Sequence, residues 1–329
     1  GAAFASGAPV LRWAIGVALA GIALFALLHL RLLIWNLVEY RRFRRTPAAA
    51  ALRAGNAETQ LLALPLTVAM SINVGFILGM VFVPGLWSIV EYLFPAALAA
   101  FLLVGLWALR LIGDFYGRIL TEGGFDCARN NSFAQMLPAF ALAMIGVGLA
   151  APASMSVVPT TAGVSWLLST FFVVAALLLG AVQLVLGMRA MMEGGANAES
   201  APTLWIGVPI LTVLSIALMR QGHGAHVHLG AAGTAADDLG MLAAFLGAQI
   251  AFLALGAVVM KRHHYASRYL AGDSVSPGSW ALVCPGVALG VMGHFFINKG
   301  LVATGLIAKF ALPWLLLTGL ALAVQLATI

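Results

Sequence analysis

Charge is what this chain has least of: 9% of its 329 residues are Asp, Glu, Lys or Arg, where a soluble domain carries roughly 25%. Only 11 of these are acidic, and none sits deep in an apolar run, Glu91 lying near the end of one. Cysteine is scarce as well, with two residues that allow one pair and match no metal motif. A phosphate-cradling Gly-Lys-Ser/Thr loop, a nucleophile elbow and paired carboxylates inside an apolar run are all missing. ATP-driven pumping by this chain and acid/base hydrolysis therefore lack their residues.

What the chain has instead is hydrophobic residues, 62% of the total, gathered into runs near the roughly 20 residues that span a bilayer as a helix. Barrel strands would be shorter and would alternate. The expected class is an all-α integral membrane protein, one transmembrane domain over residues 1–329 with the bilayer as its surroundings. Nine spans are expected, at 10–34, 61–83, 86–112, 132–153, 161–189, 203–220, 238–260, 279–297 and 301–327. Pro95 and Pro313 fall inside their segments and predict kinks.

The net charge of +6 does not point to nucleic acid, because the bases flank membrane segments. Thirteen of the 17 Lys and Arg residues, from Arg31 through the cluster at Arg41 to Arg53 and on to Arg268, fall on one side of the nine-span arrangement. Arg12, Arg220 and Lys299 fall on the other, and Lys309 lies inside the last span. Cytoplasmic loops are enriched in such bases, so the expectation is an inner-membrane protein with a cytoplasmic C-terminus. The N-terminus is then external, with residues 1–10 either a short tail or the remnant left by a missing first helix.

Four prolines, Pro65, Pro138, Pro209 and Pro285, stand near the starts of four spans at separations of 73, 71 and 76 residues. Each interval holds one helical hairpin, giving units at about 61–112, 132–189, 203–260 and 279–327 after a lone helix at 10–34. The proline-bearing helices are rich in small residues and alcohols, which suit either close packing or a lumen. Thr67, Ser71 and Asn73, then Gln135 with Asn131 and Ser132, then Thr212 and Ser215, and Gly286 and Gly290 are the pore-lining candidates. Hydroxyl and amide donors solvate a passing anion without trapping it, but they also bond to their own helix.

Ionisable groups inside a membrane mark pathways. Lys309, about nine residues into the last span, and His294 on the Pro285 helix favour anions over cations. The alternatives are snorkelling for Lys309 and a packing role for His294. His223, His226 and His228 lie in an expected Gly-rich external loop followed by Asp237 and Asp238; they form a weak metal-ligand spacing or a solvated funnel for anions. His263 and His264, beside Lys261 and Arg262, are expected to form a basic membrane-edge patch.

The run Ser279, Trp280, Ala281, Leu282, Val283, Cys284, Pro285 resembles the Trp-Ala-Tyr-Thr-Phe-Pro run in the ninth helix of the tellurite-resistance/dicarboxylate transporter and plant slow-anion-channel family. Residues 45–65, with Arg45, Thr46, Pro47 and Pro65, are similar to that family's entry into its third helix, and residues 202–209 to its proline-rich odd helices. The resemblance implies ten helices in five hairpins, odd helices ringing a pore, a homotrimer, and one helix before residue 10. It also implies a gate where family members carry Phe, the position Cys284 takes here, followed by Pro285. A branch of the superfamily, the TsoY-type proteins, includes selenoproteins, and a thiol at Cys284 fits that branch.

The expected function is a small-anion channel or secondary transporter, for an inorganic or organic anion, gated near Cys284 and needing no cofactor. A membrane thiol redox protein centred on Cys284 is the alternative, with Cys127 as a transient partner. A structural subunit of a larger membrane complex is a third reading.

Overall fold

The computed structural model describes residues 9–328, the side chains of Val10 and Leu11 apart. The expected external tail lies outside the described residues up to residue 8. The described chain is helical: α1 Pro9–Phe43, α2 Pro47–Arg53, α3 Ala63–Phe82, α4 Val90–Glu122, α5 Leu137–Met155, α6 Pro159–Gly194, α7 Gly207–Leu229, α8 Ala235–Arg262, α9 Val283–Phe295 and α10 Leu312–Thr328. Eight helical segments are long and apolar enough to cross a membrane, and α10, at 17 residues, is a shorter apolar helix. The protein is thus an all-helical protein of membrane type. In hydrocarbon a helix satisfies its backbone within itself, which is why apolar runs of this length take no other form.

The four prolines share a local structure. Each of α3, α5, α7 and α9 is entered through a 3-10 turn, at Asn56–Leu62, Phe133–Met136, Ala201–Ile206 and Pro277–Leu282, and carries its proline at the second or third position. A first-turn proline gives up an N–H that would have no helical partner. These four helices pack as a row, α3 on α5, α5 on α7 and α7 on α9, while α4, α6, α8 and α10 pack on the row from outside. No interface of similar extent joins α3 to α9. Their entry turns interlock too: Thr59 Oγ1 donates to Gln135 Oε1 at 2.9 Å, Gln135 Nε2 to the Asn56 carbonyl at 2.7 Å, and Phe133 N to Thr203 Oγ1 at 3.1 Å.

The core centres on α5, where every residue from Pro138 to Ala150 is buried. Its glycines let large neighbours in: a Cβ at Gly148 would strike the Phe101 ring, and one at Gly146 would stand 3.0 Å from Val173. By contrast α6 exposes Leu167, Phe171, Leu178 and Val185, as a lipid-facing helix must. Two flanking glutamines tie their helices to the row. Gln249 and Gln325, each 40 residues after a helix-entry proline, donate into α7 and α9, to Val208 O at 2.9 Å and Val287 O at 3.4 Å.

Two segments depart from the sequence expectation. The span expected at 301–327 does not exist as such: the Pro285 helix runs on through a π-helical stretch, Phe296–Val302, and α10 begins only at Leu312. Gly305 at φ 77° and Phe310 at φ 66° break the chain between them, and Pro313 occupies the first turn of α10 instead of kinking a longer helix. Pro95, in contrast, is inside α4. The expected loop at 221–228 is helical, since α7 continues to Leu229.

Candidate functional site

The lengthening of α7 changes the status of Arg220. Read as an external flanking residue, it stands nine residues before the end of α7, about 14 Å along the axis. Packing holds this last stretch helical. Gly224 sits directly on the Ala153 carbonyl, with no room for a Cβ, and His228 Nε2 contacts the Ser156 carbonyl at 3.0 Å. Arg220 Nη1 donates to the Val147 carbonyl of α5 at 2.9 Å, and none of the ion pairs among the described residues includes it.

Beside it opens a cavity of about 360 Å³ between α3, α4, α5 and α7. Its wall is mostly apolar, with Phe94, Phe101, Met80, Met144, Met155 and Val213 among the lining side chains; Arg220 is the one charged side chain in it and Asn73 the one amide. Asn73 Nδ2 donates to its own helix at Ala69 O, 3.2 Å away, and weakly to Met144 Sδ at 3.7 Å. A guanidinium has five N–H donors, and a single carbonyl uses one of them. The cavity therefore presents positive charge and spare donors within apolar walls.

The sequence candidates divide into those near this cavity and those elsewhere. Asn73 is in its wall, and Thr67 and Ser71 stand on the same helix, donating to Ala63 O at 2.7 Å and Thr67 O at 2.8 Å. Ser71 also meets His29 of α1 at 2.8 Å. Gln135 is buried in the interlocked entry turns. Thr212 and Ser215 are buried on α7: Thr212 takes the Gln249 amide at 2.7 Å and reaches Ala288 O at 3.1 Å, and Ser215 contacts Met292 Sδ at 3.7 Å. Gly286 and Gly290 face α10, where Thr328 and Gln325 fill the space a side chain would need. His294 is half-buried.

Three placements correct the sequence analysis. Lys309 is not inside a helical span; it lies in the loop before α10, its ammonium 5.3 Å from the Phe310 ring centre, because the chain breaks at Gly305 and restarts at Leu312. His223, His226 and His228 are on the last turns of α7, not in a loop. His226 Nδ1 contacts Ala231 O at 2.8 Å, and no group of three or more His, Cys, Asp or Glu among the described residues is placed to hold a metal. Asp237, which followed that loop, forms a capping box with Thr234 at the start of α8.

Cys284 is in the first turn of α9, half-buried against the main core, one residue before the buried Pro285. Cys127 is exposed in the loop after α4, and both thiols are free. Among the described residues that line the cavity between α3, α4, α5 and α7, Arg220 is the one with full charge, and the sequence reading places it as an external flank. The legible signal was Gly224 followed four residues later by His228, a spacing compatible with one helix face.

Comparison of the chain with protein-family models, with curated proteins and with solved structures finds no match. The class that fold and composition define is that of an all-helical protein with eight helices, among the described residues, long and apolar enough to cross a membrane.

Proposed function

We propose that this protein passes small inorganic or organic anions across the membrane, as a channel or secondary transporter, through hairpin units arranged around a pore in each protomer. The observation that carries this reading is Arg220, a half-buried cation that belongs to no ion pair among the described residues and lines an apolar-walled cavity of about 360 Å³. An uncompensated charge in such surroundings is costly and is retained where something of opposite sign visits. The row of α3, α5, α7 and α9, each with the same entry turn, supports the repeat and the pore-forming role of these helices. On the same reading the protomers form homotrimers in the inner membrane with cytoplasmic C-termini. Liposomes containing the purified chain test it: the reversal potential follows the anion gradient, and one that follows the cation gradient overturns the proposal.

The gate is placed at Cys284 and Pro285, where α9 begins. The buried Pro285 fixes the first turn of α9, and the adjoining thiol is small. Cys284→Phe lowers flux by adding bulk at the proposed gate, whereas Cys284→Ala maintains or raises it. A small thiol reagent blocks the unmodified protein and leaves Cys284→Ala conducting. Equal block of both would assign Cys284 to packing alone.

A further inference from the structure

At the basic end of the bundle, away from the Arg220 cavity, a second recess of about 470 Å³ lies where α8 ends. Its lining is divided. Trp205, Ala257 and Leu282, from the entry to α7, from α8 and from the entry to α9, make an apolar wall; Lys261, His264 and Ser267 make a polar one. We propose that this recess binds one anionic phospholipid, its phosphate against Lys261 and His264 and its glycerol and upper acyl chain along the apolar wall.

Charge and backbone both support an anionic, amphipathic occupant. Lys261 is exposed and belongs to no ion pair among the described residues, and no carboxylate lines the recess. Two carboxylates are near in sequence or space. Glu199 accepts from Ser276 Oγ at 3.0 Å, and Asp273 is exposed beyond the turn. The negative C-terminal end of the α8 dipole, worth about half a charge, is outweighed by Lys261 and Arg262 in its last turn.

The polar wall is also shaped and held. His264 has φ 53°, a conformation uncommon outside glycine, and it turns the chain from α8 into a π-helical stretch, Ala266–Leu270. Ser267 Oγ donates to His264 O at 3.0 Å, fixing the turn. Behind it Tyr265 is buried, contacts Ser279 Oγ at 3.1 Å and lies 4.8 Å from the Tyr269 ring centre. Irregular backbone that is pinned in this way commonly marks a binding site. A basic recess at a helix end, with an apolar wall beside it, has the chemistry that recognises a phosphate head group with its chain attached.

The test is lipid retention by the purified full chain, read by native mass spectrometry and by the thermal midpoint on adding phosphatidylglycerol, phosphatidylcholine or inorganic phosphate. Phosphatidylglycerol is retained and raises the midpoint; phosphatidylcholine and inorganic phosphate do not. Lys261→Gln lowers phosphatidylglycerol affinity about fivefold, the factor expected for one base near the surface, and Ala257→Phe, which fills the apolar wall, lowers it through loss of the chain contact. Arg41→Gln, on α1 and outside the recess, leaves retention unchanged. Three results overturn the proposal: equal retention of the two lipids, the same shift with inorganic phosphate alone, or equal losses for Lys261→Gln and Arg41→Gln, which would mark diffuse charge.

Discussion

Replacing Arg220 by Gln is expected to lower anion flux about tenfold or more while leaving the protein folded. A unit charge ~4 Å from an ion contributes on the order of 4 kcal/mol at an effective dielectric near 20, before desolvation is counted. Retention of about a third of that figure in the rate already gives the tenfold change. Glutamine removes the charge and with it the bond that Arg220 Nη1 makes to the Val147 carbonyl at 2.9 Å, but α7 stays held against the end of α5 by Gly224 on Ala153. Arg220→Lys retains the charge and part of the flux. Because a half-buried cation without a carboxylate partner is costly, Arg220→Met is expected to melt at the same temperature as the unmodified protein or higher, with flux lost. Lys309→Ala is the contrast: its side chain lies over Phe310 in the loop before α10, and flux stays within a factor of about two. Undiminished flux in Arg220→Gln, or a larger loss in Lys309→Ala, would remove Arg220 from the path.

Gly290→Val is expected to loosen the C-terminal hairpin. A Cβ at Gly290 would enter the Gln325 side chain, 2.6 Å from its Cδ; in the same seam one at Gly286 would strike Thr328 and one at Gly293 would stand 3.4 Å from Ala321 Cβ. Overpacking of this kind costs about 1–3 kcal/mol. The effect is large because α10 is held almost entirely by α9; Ala321 is the buried residue recorded along its length. The thermal midpoint falls and α10 becomes protease-sensitive. Gly319→Ala on the same helix, with open space around it, leaves both unchanged. Adding Gln325→Ala to Gly290→Val restores much of the loss, the non-additivity that a direct contact requires. A normal midpoint for Gly290→Val would mean that these glycines face open space, as a lumen would provide.

Legibility differed along the chain for identifiable reasons. Hydrophobic runs at membrane length identified the long helices, and prolines at 65, 138, 209 and 285 located the starts of the row helices to within three residues. Both signals are local: one is the requirement that backbone in hydrocarbon bond to itself, the other that proline lacks an N–H. The alcohols were visible as residues, but their partners were not. Thr212 bonds across to Ala288 and Gln249, contacts set by how three helices lie together.

At the two ends where charge matters, composition and tertiary structure parted. Gly222, His223 and Gly224 have weak helix propensity, and by themselves they end a helix. Packing of Gly224 on Ala153 and of His228 on Ser156 carries α7 through them and draws Arg220 inward. Around Lys309 the apolar sequence favours an unbroken span, yet the turn at Gly305 and the left-handed Phe310 leave that lysine in a loop. The sequence by itself determined that this protein is helical, apolar and poor in interior charge. Which cation lies inside was decided by tertiary structure, because marginal helix ends extend or stop according to what they pack against.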